Sequence, residues 1–173
     1  MTEESSWTRL DIVVNLISMI ILMTFGTFIL VIKCWRCVLA WAILWGLYII
    51  VGRYVTCRHC DYLGKPCPSW CMGIIGGWLY ERSEKKNFCE DGYFKLFVFD
   101  ILFMVLAILI PYIKYIIDFI RVVVFISDVI LIIIYTVIVV ITLVLHQKFG
   151  CRKCSIIDCP LNANQKLKKQ SLS

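Results

Sequence analysis

Two long apolar runs limit what this 173-residue chain can fold into more than any other feature. Ile12–Ile32 is 21 residues without a charge, enough for one helix to cross a hydrocarbon core about 30 Å thick. The second run, residues 96–147, is 52 long, too long for a single crossing. Pro111, Lys114, Asp118 and Arg121 stand in its middle and divide it into two spans. Between the runs, Cys37–Gly52 is uncharged for 16 residues. It reaches spanning length if Arg53 snorkels and the helix continues to Thr56. Composition agrees: the AVILMFWYC set makes up 61% of the chain and charged residues only 17%. That leaves too little polar surface to cover the apolar side chains in water. A soluble monomer, a disordered chain and a collagen-like fibre are all excluded. The predicted class is an all-α integral membrane protein with four transmembrane helices.

The expected layout follows in order. Residues 1–10 form a cytoplasmic N-terminus, 11–33 the first span, 34–37 an outer hairpin and 38–56 the second span. Residues 57–93 form a Cys-rich cytoplasmic loop, 94–114 the third span, 115–119 an outer turn, 120–146 the fourth span and 147–173 a tail. The first helix does not read as a signal peptide: its leader carries two acids before one Arg, and no small-x-small site follows. Met72–Tyr80 is apolar for nine residues, too short to be a fifth span. It reads as an interfacial or re-entrant segment, or as a lid on the cysteine loop.

Charge orients the layout. The termini and the 53–95 loop share 14 Lys and Arg, against four (Lys33, Arg36, Lys114 and Arg121) on the other side. The positive-inside rule therefore puts termini and loop in the cytoplasm of a cell membrane. The net charge of +6 needs no nucleic-acid partner, because topology and attraction to anionic head groups account for it. The expected partner is the lipid bilayer, and a homo-oligomer or a membrane complex is compatible with it. The lysines at 166, 168 and 169 read as a solvated end.

The ten cysteines fall into three groups on this topology. The loop holds Cys57-Arg-His-Cys60, then Cys67 and Cys71, with Cys89 further on. The tail holds Cys151-Arg-Lys-Cys154 and Cys159-Pro160. Paired thiolates in C-x2-C spacing suit zinc or an iron–sulfur cluster, and two such motifs on one membrane side are a stronger signal than one. Candidate metal ligands are Cys57, Cys60, Cys67, Cys151, Cys154 and Cys159, with Cys71 and His59 in reserve. The six thiolates are expected to form one composite site. Arg58, Lys65, Arg152 and Lys153 are expected to lower thiol pKa values nearby. Gly64, Pro66, Pro68 and Pro160 suit a compact loop around an ion. Reduced cytosolic cysteines or palmitoylation sites are the plainer alternative. His59 reads as a solvated loop side chain and His146 as a cation at the last helix end.

The third group, Cys34-Trp-Arg-Cys37, lies in the hairpin on the opposite face. A C-x2-C pair facing an oxidising compartment is similar to that of membrane thiol oxidoreductases, and it also suits a structural turn. Asp100 and Asp128 enter the third and fourth spans from opposite faces, so they are not expected to pair. They read as interfacial acids, Asp128 near Arg121, with a small-ion pathway as the alternative. Asn15, Ser18, Thr24 and Thr27 are expected to bond between helices. No Ser/His/Asp set, P-loop, Rossmann fingerprint or H-E-x-x-H motif is present, so an enzymatic reading has few residues to rest on.

CRHCDYLGKPC with its following Gly-rich stretch, and GCRKCSIIDCPLN after the last span, resemble motifs of a group of small, largely archaeal four-span membrane proteins. That group has no established activity, so the resemblance implies architecture and the pairing of the two motifs. By its pattern Cys57, Cys60, Cys67, Cys151, Cys154 and Cys159 are the shared positions, and Cys71 stands where the group tends to have Gly. The layout is also similar to protein acyltransferases, but their Asp-His-His-Cys sequence is missing.

Overall fold

The computed structural model describes residues 8–60, 62–67, 69–85, 92–121 and 125–153. Four of its helices are long and apolar enough to cross a membrane, and no strand occurs among the described residues. They are α1 (Arg9–Lys33), α2 (Trp35–Val55), α4 (Phe94–Ile120) and α5 (Ile126–Leu145), with the short α3 (Met72–Leu79) between α2 and α4.

Each long helix carries a buried stripe at heptad spacing. In α2 it is Trp41, Trp45, Tyr48, Gly52 and Val55, and in α1 it includes Asn15, Leu22, Gly26 and Ile29. This spacing keeps one seam facing the neighbour along the whole helix. α2 packs mainly on α4 and α1 mainly on α5. Outside the seams the surface is almost wholly aliphatic, including Ile17, Ile20, Ile43, Val98, Ile116 and Ile133, as suits contact with lipid.

Local chemistry sets the ends. Thr8 and Asp11 form a capping box at the start of α1, with Asp11 N–H donating to Thr8 Oγ1 (3.2 Å) and Thr8 N–H to Asp11 Oδ2 (2.9 Å). Asp128 does the same at α5 by accepting from the Phe125 N–H at 3.1 Å. α5 ends by widening into a π-helical turn, His146–Gly150, and then a 3-10 turn, Cys151–Lys153.

Two expected boundaries move. α4 runs through Pro111 to Ile120, so residues 115–119 are helix rather than an outer turn, and α5 starts at Ile126 rather than 120. The helix continues through the proline, whose missing N–H deprives only the Ala107 carbonyl of its partner, while Tyr135 of α5 donates its hydroxyl to the next carbonyl, that of Ile108, at 3.1 Å. Lys114 and Asp118, one turn apart, pair on the helix instead of ending it. At the first hairpin only Cys34 is non-helical, and Cys37 already belongs to α2.

Candidate functional site

The two ends of the bundle hold the polar and sulfur-bearing residues, the Cys-rich loop at one and the α1–α2 hairpin at the other. At the loop end, α2 passes into a 3-10 turn, Cys57–His59, and the chain folds back on itself. The Gly64 N–H donates to the Gly73 carbonyl (2.8 Å) and the Cys71 N–H to the Cys67 carbonyl (3.0 Å). Trp70 and Cys71 both take the left-handed conformation, φ 54° and 55°, rare for residues with a side chain. This turn delivers the Trp70 ring into the interior and starts α3.

α3 closes over the loop as a lid. A Cβ on Gly73 would lie 2.5 Å from the Tyr62 carbonyl oxygen, one on Gly76 2.8 Å from Cys57 Cβ, and one on Gly77 2.5 Å from Gly64 Cα. Only glycine fits there, which is the physical meaning of the MGIIGGW stretch. Beneath the lid lie Cys57 and Cys67, both buried. Cys67 Sγ accepts the Gly73 N–H at 3.2 Å, and Cys57 Sγ lies 3.8 Å from the Met72 carbonyl oxygen. Both sulfurs thus face the first turn of α3.

Arg53 does not snorkel. It is 4% exposed, turned into the bundle against the Tyr48 ring (5.2 Å), with Nη1 3.8 Å from Cys57 Sγ. Asp100, also 4% exposed, approaches from α4 and presses on Gly52, where a Cβ would lie 2.0 Å from its Oδ1. Arg53 Nε, Asp100 Oδ1 and Trp70 Nε1 are buried with no hydrogen-bond partner among the described residues. The signal for this was present in the sequence as an aromatic stripe on α2 that ends in Gly52-Arg53. A charge near a span end reads first as interfacial, and that default hid it.

The loop touches the end of the last helix. Trp70 stacks on His146, ring centroids 4.4 Å apart, and the Asn15 amide Nδ2 donates to His146 Nδ1 at 3.3 Å. His146 is thus held between Trp70 and Asn15 rather than standing free at the helix end as expected. His59 is buried instead of solvated, with Nδ1 2.7 Å from the Val55 carbonyl oxygen. The bond to a carbonyl needs the proton on Nδ1.

The polar residues of α1 divide between two kinds of bond. Asn15 bonds across to α5, and the Ser18 carbonyl accepts from Thr142 Oγ1 at 3.2 Å. The Ser18 and Thr27 hydroxyls bond back to Asn15 and Met23 of their own helix, and Thr24 faces outward.

Of the candidate ligands, Cys57 and Cys67 come together beneath α3, Cys60 and Cys71 are half-buried in the same loop, and Cys151 follows the π turn. Cys154, Cys159 and Cys89 lie outside the described residues. Among the described residues no three His, Cys, Asp or Glu side chains are placed to share a metal ion. The expected lowering of thiol pKa values does not hold at Cys67 and Cys71. Burial pushes Cys67 up, outweighing the Gly73 N–H that favours its thiolate, and burial also raises Cys71. Arg58 is spent elsewhere, over the Tyr54 ring and donating to the Glu81 carbonyl.

At the hairpin end Cys34 and Cys37 are joined as a disulfide. The adjacent Lys33 reaches Asp128 of α5 at 2.5 Å, so Asp128 pairs with Lys33 and not with Arg121. Lys33, Lys114, Asp118 and Asp128 line a small cleft with Ile29 and Pro111. Asp100 and Asp128 stand at opposite ends of the bundle.

No family model matches this chain, and neither a curated protein nor a solved structure is significantly similar to it.

Proposed function

We propose that this is a multi-pass membrane protein that binds zinc or an iron–sulfur cluster at its loop end, on the cytoplasmic side. One observation carries the reading: two buried sulfurs, Cys57 and Cys67, face one turn of a lid that only glycine can form, on a loop docked against the segment leading to Cys151. Cys60 belongs to the same loop, Cys151 follows the helix end on which the loop docks, and Cys154 and Cys159 come next in sequence. Soft sulfur donors select these metals, and Arg53 against Cys57 offsets the negative charge that thiolates bring. The positive-charge bias puts this end in the reducing cytosol, where thiols remain available as ligands.

The test is metal analysis and an absorption spectrum of protein purified in detergent without oxygen. Stoichiometric zinc, or iron with a broad band near 400 nm, lost together in Cys57→Ser and Cys67→Ser, is the expected result. Metal-free protein whose Cys57 and Cys67 alkylate readily while folded ends the proposal.

The Cys34–Cys37 disulfide favours a second reading, a thiol–disulfide oxidoreductase on the outer face. It requires that the bond exchange with an external dithiol while the bundle stays folded. A disulfide that opens only after unfolding is structural and removes this reading.

A further inference from the structure

We propose that α3 lies in the membrane, as an in-plane helix whose outward face is covered by the acyl-chain and headgroup boundary of the leaflet at the loop end. The two faces of α3 differ completely. Gly73 and Gly76 face the cysteine loop, whereas Ile74, Ile75, Trp78 and Leu79 face outward, Trp78 at 91% exposure. Met72–Leu79 contains no charged or hydrogen-bonding side chain apart from the Trp78 indole. Such a surface offers water nothing, and a lone Trp at its rim suits the membrane interface.

A hydrogen bond sets the level of the Tyr80 hydroxyl along α2. Tyr80, just past α3, donates its hydroxyl to the Ile50 carbonyl of α2 at 3.1 Å. The 21 residues of α2 rise about 31 Å at 1.5 Å each, close to the thickness of the hydrocarbon core. Ile50 lies five residues before the helix end at Val55, about 7–8 Å inside that core. In-plane helices sink their apolar faces about 5–10 Å into the boundary region, the same depth. Ile50 is itself on the lipid-facing surface, so the outward face of α3 continues a surface that lipid already covers. Tyr54 packs against both Tyr80 and Tyr93, with ring centroids 5.2 and 5.4 Å apart, and together they form an aromatic belt at this level.

The consequence concerns access. The lid over Cys57 and Cys67 is sealed by the bilayer, so lipid-soluble reagents reach these thiols more readily than charged ones.

The test is fluorescence of the full chain in phosphatidylcholine vesicles, as wild type and Trp78→Phe. Trp78 is almost fully exposed, so the change to Phe leaves the packing intact, and the difference spectrum isolates its emission. Bromine near the carbonyl end of the acyl chain should remove most of a blue-shifted Trp78 emission, and bromine near the methyl end much less. Red-shifted, unquenched emission means that water covers the face and overturns the proposal. Blue-shifted emission that neither lipid quenches means that protein covers it, a second copy or another partner, and overturns it equally. Stronger quenching from the methyl end means deep insertion and excludes the in-plane position.

Discussion

At the hairpin end the bundle is fastened by a covalent bond, Cys34–Cys37, and by the Lys33–Asp128 and Lys114–Asp118 pairs, which give each of these charges a partner of opposite sign. At the loop end the cysteines 57, 67 and 71 are thiols, and Arg53, Asp100 and Trp70 are buried with polar atoms that no group among the described residues satisfies. Orphaned polar atoms in a membrane protein each cost on the order of 1–3 kcal/mol. Two consecutive left-handed residues with side chains, Trp70 and Cys71, are strained at the same place. The hairpin end is arranged as a fastener. The loop end spends stability to hold thiols, an arginine and an aromatic stack in one arrangement, the usual mark of a site.

The largest effect that can break this comparison comes from Arg53. It follows Gly52, against which the Asp100 carboxylate presses, and its Nη1 lies 3.8 Å from Cys57 Sγ, all inside the bundle. Arg53→Met should cost about 3 kcal/mol, because a buried acid loses its compensating charge. The measurement is unfolding by SDS in mixed micelles. Adding Asp100→Asn should restore most of the loss. An Arg53→Met protein as stable as wild type means that the charge reaches water after all.

How much of this was legible differs by feature. The four spans were, because hydrocarbon thickness imposes a length that any apolar run either meets or does not. That Cys57, Cys60 and Cys67 share one loop followed from their spacing, but that Cys57 and Cys67 are the two buried beneath α3 did not. The direction of Arg53 was not: a cation near a span end looks the same whether it reaches outward or inward, and only the gap at Gly52 and the acid across it decide. The outer turn was misplaced because a proline removes one hydrogen bond without ending a transmembrane helix, and α4 runs through Pro111 packed on its neighbours. His59 misled in the same way, since a histidine between Arg58 and Cys60 looks solvated until its Val55 bond is seen.

Next in size is the lid. Gly76→Val places a branched side chain where even a Cβ comes within 2.8 Å of Cys57 Cβ, and should cost about 2–3 kcal/mol. Alkylation read by mass spectrometry should show Cys57 and Cys67 becoming reactive while the bundle stays helical. Gly46→Ala is the contrast: its Cβ meets nothing within 4 Å, and better helix propensity should stabilise it by up to about 1 kcal/mol. If the two changes act alike, the lid is not a close fit.

The fastener itself should matter less. The Cys34–Cys37 bond closes a loop of only a few residues, for which chain entropy gives about 2 kcal/mol. The double change to Ser should lower the SDS midpoint by that much and leave metal content and Cys57 reactivity unchanged, since a membrane thickness of about 30 Å separates the ends. Loss of metal in this variant would join the two ends into one site and remove the comparison.

The smallest effect sharpens it. Thr142 Oγ1 donates to the Ser18 carbonyl at 3.2 Å across the α1–α5 seam, one turn from the Asn15–His146 bond. Hydrogen bonds between transmembrane helices average about 0.6 kcal/mol, because the separated helices find other partners in the membrane. Thr142→Val keeps the shape and removes the donor, so its cost should be near that value in the same SDS titration. The hydroxyl of Thr142→Ser can still donate, but the lost methyl opens a small void in a fully buried position. If shape holds the seam, Ser should be the worse of the two, at about 1 kcal/mol. If Val costs clearly more than Ser, hydrogen bonding carries this region. The polar seam at the loop end would then rank with the ion pairs at the hairpin end as a structural device, leaving Arg53, Asp100 and the buried thiols as the part of that end which stability does not explain.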